Sequence, residues 1–178
     1  MKRVILALGF LLVACGPSQT TSADVTPDPA TASMTQGRFE LRFTVERATV
    51  RPLDVIKGEA TLSLLGPVGA TITGSSSILG FEFMEIGGAM RHVIPVHDGM
   101  CAPHRVTSNG PLTSSIIESG SVVEGPNAAW YREFLDDPLV HLPLGEWDLT
   151  VTSAFFDGRD CTGQKVDLRA TVRVHVSE

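Results

Sequence analysis

Two stretches of this chain alternate apolar and polar side chains without a slip, and that rhythm restricts the fold more than any other feature. RFELRFTV sets Phe39, Leu41, Phe43 and Val45 on one side and Glu40, Arg42 and Thr44 on the other. Near the end, VDLRATVRVHV aligns Leu168, Ala170, Val172, Val174 and Val176 in the same way, and EWDLTV aligns Trp147, Leu149 and Val151. Successive side chains of a strand point to opposite faces, so period two means a strand buried on one side. Strands separated by short Gly/Pro/Asp turns, with one short helix at most, predict an all-β fold: an antiparallel sandwich.

The stretches between fit that plan. After Val45 the phase changes, since Ala48 and Val50 are the next apolar positions, which predicts a bulge or strand break near Glu46 and Arg47. Pro52 and a Lys57-Gly58 turn lead into a second run from Glu59 to Leu65. The clearest hairpin is FEFMEI-GG-AMRHVIPV. Read as a two-residue primed turn, Gly87-Gly88 sets Glu85 opposite Met90, Phe83 opposite His92, Phe81 opposite Ile94 and Leu79 opposite Val96. His92 is then a core or strand-end histidine with its hydrogen bond satisfied. One helix is expected in PNAAWYREFLDDP, capped by Asn127 and stopped by Pro138, with Trp130/Phe134 and Tyr131/Leu135 at i, i+4. That insert is either a lid on the core or a contact surface. Trp130, Tyr131 and Phe134 are the candidate partner-binding residues, because aromatics rank high among interface anchors.

LPLGEWDLTV resembles the turn and penultimate strand of bacterial immunoglobulin-like domains, which implies an immunoglobulin-like sandwich for residues 37–178. The order of strands from Gly58 onward also resembles, in layout, the intracellular-proteinase-inhibitor-like sandwich, with Gly66-Pro67-Val68-Gly69 in place of an Asn-rich turn. If that likeness extends to activity, an exposed loop such as Ser108 to Ser115 would face a protease.

The start of the chain bears on location. Lys2 and Arg3 precede an apolar run from Val4 to Val13, the layout of a secretory signal. The run is far shorter than the roughly 20 residues a membrane-spanning helix needs. Leu12, Val13, Ala14 and Cys15 resemble the lipobox of bacterial lipoproteins. The resemblance implies a lipoprotein signal peptide over residues 1–14, removed on maturation, and Cys15 carrying diacylglyceryl and palmitate-type acyl chains. Two or more chains give stable attachment at about 0.8 kcal/mol per buried CH₂. Gly16, rather than Asp, follows the cysteine and favours the outer membrane over the inner in a Gram-negative host. Residues 15–36, rich in Ser, Thr, Pro and Ala, are expected to form a disordered lipidated linker of roughly 25 Å mean span.

Loss of Lys2 and Arg3 would shift the formal charge from −6 to −8. A surface so acidic, with scattered basic residues, disfavours nucleic acid. Cys101 and Cys161 remain, an even count in an exported chain, and are expected to pair as a disulfide.

The densest polar cluster is HVIPVHDGMCAPHRV. CAPH resembles the Cys-x-Pro-His of small blue-copper proteins, which makes His97, Cys101 and His104 an alternative metal site. Against it, no axial Met follows His104, residues 37–91 hold no His, and a disulfide-bonded Cys101 supplies no thiolate. No metal or other cofactor is therefore expected. The chain lacks a G-x-S-x-G elbow, an H-E-x-x-H pair and a phosphate-cradling loop, and Asp136 and Asp137 are adjacent rather than opposed, so no catalytic residue is expected. Asp157, Gly158 and Asp160 read as a turn, and His141 and His175 as solvated strand residues. The expectation is a lipid-anchored, extracytoplasmic module of the cell envelope that binds an envelope protein or peptide or has a structural role.

Overall fold

The computed structural model describes residues 28–117, 120 and 125–178; the positions expected to form the signal peptide, the lipidation site and most of the linker lie outside them. The architecture is the expected antiparallel sandwich with one helical insert. One sheet has the strand order β1 (Ala30–Gln36), β2 (Phe39–Val45), β4 (Gly58–Leu64), β9 (Leu112–Ser115). The other runs β3 (Thr49–Val50), β11 (Gln164–Val176), β10 (Gly145–Asp157), β5 (Ala70–Gly74), β8 (Ala102–Val106), with β6 (Gly80–Ile86) also on β10 and β7 (His92–Val93) on β6.

The alternating runs bury the sides expected of them. Phe39, Leu41, Phe43 and Val45 from one sheet meet Trp147, Leu149, Val151, Leu168 and Val174 from the other, all at most 1% exposed. Aromatic edges lock the layers: Phe39 meets Phe155 at 4.9 Å and Phe43 meets Phe81 at 5.9 Å between ring centroids. The phase change after Val45 is a change of sheet. Residues 46–48 carry the chain across, and β3 pairs with β11, the one parallel pairing among the described residues.

Strand β10 is long enough to take two partners in succession along one edge. β6 pairs with Glu146–Thr152 and β5 with Phe155–Asp157. Between them the chain spends residues 75–79 where β10 advances by two residues, so this segment bulges outward. Gly80 closes the bulge; a Cβ there would lie 2.8 Å from the Pro95 ring.

Two expectations change. The folded unit begins before residue 37: Ala30–Gln36, expected to belong to the disordered linker, is an edge strand in full register with β2, from Ala30 opposite Val45 to Gln36 opposite Phe39. Its small side chains bury little, and backbone pairing, a 2.9 Å Thr31–Thr44 hydroxyl bond and the Gln36 side chain accepting from the Asp167 amide hold it. The hairpin register also slips by one. Phe83 faces Val93 and Met84 faces His92, because the Glu85 amide donates to Arg91 O and the turn therefore has five residues, not two. Gly87, Gly88 and Met90 all adopt positive φ in it. A slip of one residue exchanges faces: Val93 is buried, Ile94 and Val96 are exposed, and His92 turns outward to Glu82 at 2.6 Å.

Candidate functional site

The strands sort the loops between two ends. At one lie the Gly37 turn, the 65–69 turn and the 158–163 turn; at the other lie Asp28, the 46–57 crossover, the 87–91 turn and the helix α1 (Ala128–Asp136).

At the first end Cys101 and Cys161 are joined in a disulfide, with Cα atoms 6.0 Å apart, tying the segment before β8 to the turn between β10 and β11. Arg38 reaches across with two hydrogen bonds to Asp157, at 2.7 and 3.1 Å, and that carboxylate holds the guanidinium above its ordinary pKa. Asp98 pins the bulge. It accepts from the Ser76 amide at 3.2 Å, the Ser75 hydroxyl at 2.7 Å and the Met100 amide at 3.0 Å. Hydrogen bonds from Ser76, then Ser75 and Met100, hold the Asp98 carboxyl far below the usual carboxylate range.

The copper alternative fails here. The Cys101 sulfur is spent in the disulfide, His97 is exposed, and His104 Nε2 is satisfied by Ser75 O at 2.9 Å. Among the described residues no group of His, Cys, Asp and Glu is arranged to hold a metal ion. Ser75, Asp98 and His104 are neighbours but not a catalytic relay, since the serine hydroxyl donates to the aspartate and the imidazole meets a backbone carbonyl. Within Ser108–Ser115, Leu112–Ser115 is paired to β4, which leaves little free loop for a protease.

The opposite end is closed by aromatic packing. Asn127 stands at the helix N-terminus but makes no side-chain cap; its amide nitrogen donates instead to Ala89 O at 2.9 Å, tying α1 to the β6–β7 turn. Phe134 packs edge-on against Phe83 at 5.4 Å, and the Tyr131 hydroxyl accepts from the His92 amide. Trp130 lies between the Trp147 ring, at 5.8 Å, and the Arg91 guanidinium, at 5.4 Å. Beneath them, buried Glu85 accepts from the Arg91 amide and side chain at 3.1 and 3.2 Å. Trp130, Tyr131 and Phe134 therefore do not form an open contact face: Tyr131 and Phe134 are buried and Trp130 is half-buried. The i, i+4 spacing that suggested a stripe is the stripe that faces the core.

That lid leaves a cleft at its outer edge. A cavity of about 290 Å³ opens between α1, the 139–143 segment and the turn at Pro52, with Pro52, Leu53, Trp130, Phe134, Leu139, Leu142 and Pro143 as walls. Glu133, Asp137 and His141 form its polar rim. Leu53 is unusual in two ways. It is 84% exposed, and its φ is +70°. The Asp54 amide donates to Arg51 O, so Pro52 and Leu53 occupy the middle of a turn whose third position normally carries Gly or Asn. A leucine there costs about 1–2 kcal/mol of backbone strain. His141 ties the turn to the helix end, with Nδ1 3.3 Å from Asp54 O and Nε2 3.7 Å from Asp137 Oδ2.

The helix and its aromatics were readable in the sequence; Leu53 was not singled out, although an apolar residue directly after a turn proline was its available signal. The outer face of the second sheet carries a ladder of paired polar groups instead: Asp148–Arg173 at 2.8 Å, Thr150–Thr171 at 2.8 Å, Glu146–His175 at 2.7 Å, and Glu82 with both His92 and Arg169. The charges of these pairs are met within the face. Compared with known proteins, the chain matches no family model, no curated protein and no solved structure.

Proposed function

We propose that the protein is a lipid-anchored lipoprotein of the bacterial cell envelope whose sandwich serves as a non-catalytic binding module, acylated at Cys15 and retained at the outer membrane where the host has one. The observation that carries the reading is the Cys101–Cys161 disulfide, because such bonds persist outside the reducing cytosol and this chain opens with a signal-like run ending in the lipobox. Support for binding rather than catalysis comes from the cleft at the α1 end: its walls are apolar, its lining holds no Ser, Thr, Cys or Lys, and Glu133 and Asp137 lie along one helix end rather than opposed across the cleft.

The partner is an envelope protein or peptide, and the polypeptide meets the bilayer through its acyl chains. Mass spectrometry of the native protein tests this. The expected species begins at Cys15, carries acyl mass there and has no free thiol. A product that begins at Met1, without acyl mass and with Cys101 and Cys161 reduced, would overturn the reading.

A further inference from the structure

We propose that the cleft between Leu53 and α1 binds a peptide segment presenting one leucine- or phenylalanine-sized side chain beside a lysine or arginine; the proposal rests on the binding-module reading and specifies its ligand. The cleft is small for a cofactor. At about 290 Å³ it lies at the lower limit of small-molecule pockets and suits a single large side chain.

Leu53 supplies an independent pointer. An exposed side chain gains nothing in the fold from being apolar, yet this one is held in a backbone conformation that glycine or asparagine adopts more easily. Its apolar surface is of use only when something covers it. Leu139, half exposed in the same lining, adds to the apolar area available to the ligand.

The charge on the rim selects the flanking residue. Glu133 and Asp137, one helical turn apart, put two carboxylates beside the opening, and a chain of net charge −6 favours a cationic partner. On the Leu53 side Arg47 is drawn to Asp54 at 3.4 Å, and Arg51 opens the turn itself. The walls are also fixed in advance, which lowers the cost of binding. The Ile56 amide donates to Val140 O at 2.9 Å, and Trp130 is in contact with both Trp147 and Arg91.

The test is a titration of the mature full chain, followed through the indole resonance of Trp130. The probes are three capped peptides: Gly-Lys-Leu-Lys-Gly, its charge-reversed form with Glu for Lys, and a form with Ser for Leu. The first should shift Trp130 and bind at least tenfold more tightly than either of the others. Leu53→Asn, which suits the positive φ and therefore keeps the fold, should weaken it at least fivefold, and Glu133→Gln should weaken it and flatten its salt dependence.

Equal binding of the acidic peptide, no shift with any peptide, or no effect of Leu53→Asn would overturn the proposal. So would Trp130 quenching by vesicles of brominated phosphatidylethanolamine, or a concentration-dependent dimer, where Leu53→Asn abolishes either, since the occupant would then be lipid or a second copy. Acylation and peptide binding are read separately: an acylated, oxidised protein that ignores the peptides refutes the ligand and not the anchoring, and a peptide-binding protein without acyl mass does the reverse.

Discussion

The two ends of the sandwich solve the same problem with different chemistry. At the disulfide end, the turns are held by a covalent bond, a two-fold Arg38–Asp157 contact and the Asp98 hydrogen bonds, while Leu65, Val68 and Met100 stay exposed. At the helix end, nothing covalent is present among the described residues, and closure comes from the rings of Trp130, Phe134, Phe83 and Trp147 packed together, with half-buried Arg91 over Trp130 and paired to buried Glu85. A covalent and polar staple fastens loops without needing to cover their apolar side chains, which stay scattered and exposed. An aromatic lid gathers its apolar surface, and in this molecule the cleft is found at its edge.

Four substitutions or conditions would break or sharpen that contrast. Replacing both Cys101 and Cys161 by Ala should cost the most, about 4 kcal/mol in denaturant unfolding, because the bond closes a 60-residue loop. A loss below about 1 kcal/mol would mean the polar contacts suffice at that end. Phe134→Ala should cost about 3 kcal/mol, by removing a buried ring, and should loosen amides at the start of β10 before those at its end. Uniform loosening in hydrogen exchange would show that the two ends are not separate. Asp98 gives a pH-dependent effect. Its carboxyl is held below the ordinary range when folded, so its stabilising contacts are complete above about pH 4, the unfolded value, and disappear as pH falls through the lower folded one. Exchange at Ser76 and Met100 should thus quicken only in strong acid, and Asp98→Asn should quicken it at neutral pH; acid insensitivity would remove Asp98 as the pin. Leu53→Asn should have the smallest effect, a stability unchanged or raised by up to about 1 kcal/mol as backbone strain is relieved. A marked loss of stability would mean Leu53 supports the fold rather than the cleft.

Much of the fold was legible because burial imposes period two on long strands. Phe39–Val45 and Leu168–Val176 bury every residue their pattern assigned to the inside. Where side chains carry little of the energy, the pattern is silent. β1 (ATASMTQ) is mostly Ala, Ser and Thr and is held by backbone pairing, so its composition does not set it apart from the residues before it. Gly87-Gly88 located a turn correctly, yet Met90 also takes positive φ, and that third left-handed residue lengthened the turn and moved the register. Pairing of Cys101 with Cys161 followed from counting; the outward turn of His92 did not, since it depends on that same register. For the cleft, helical spacing identified Trp130 and Phe134, but the meeting of Pro52–Leu53 with Leu139–Pro143 joins segments more than 80 residues apart, which no local rule contains.

The way the described chain begins sets how it would bear load. Asp28 O accepts from the Ala48 amide, and β1 then runs away from that point along β2. A pull applied through the residues before Asp28 and across the strand acts on the first rung of that ladder, Ala30–Val45, and opens the rungs one after another, whereas a pull along the strand would load all of them together. The seven residues of β1 would release roughly 23 Å of slack before the buried layers felt tension. Strand β1 is thus placed to act as a mechanical fuse in series with the rest of the domain.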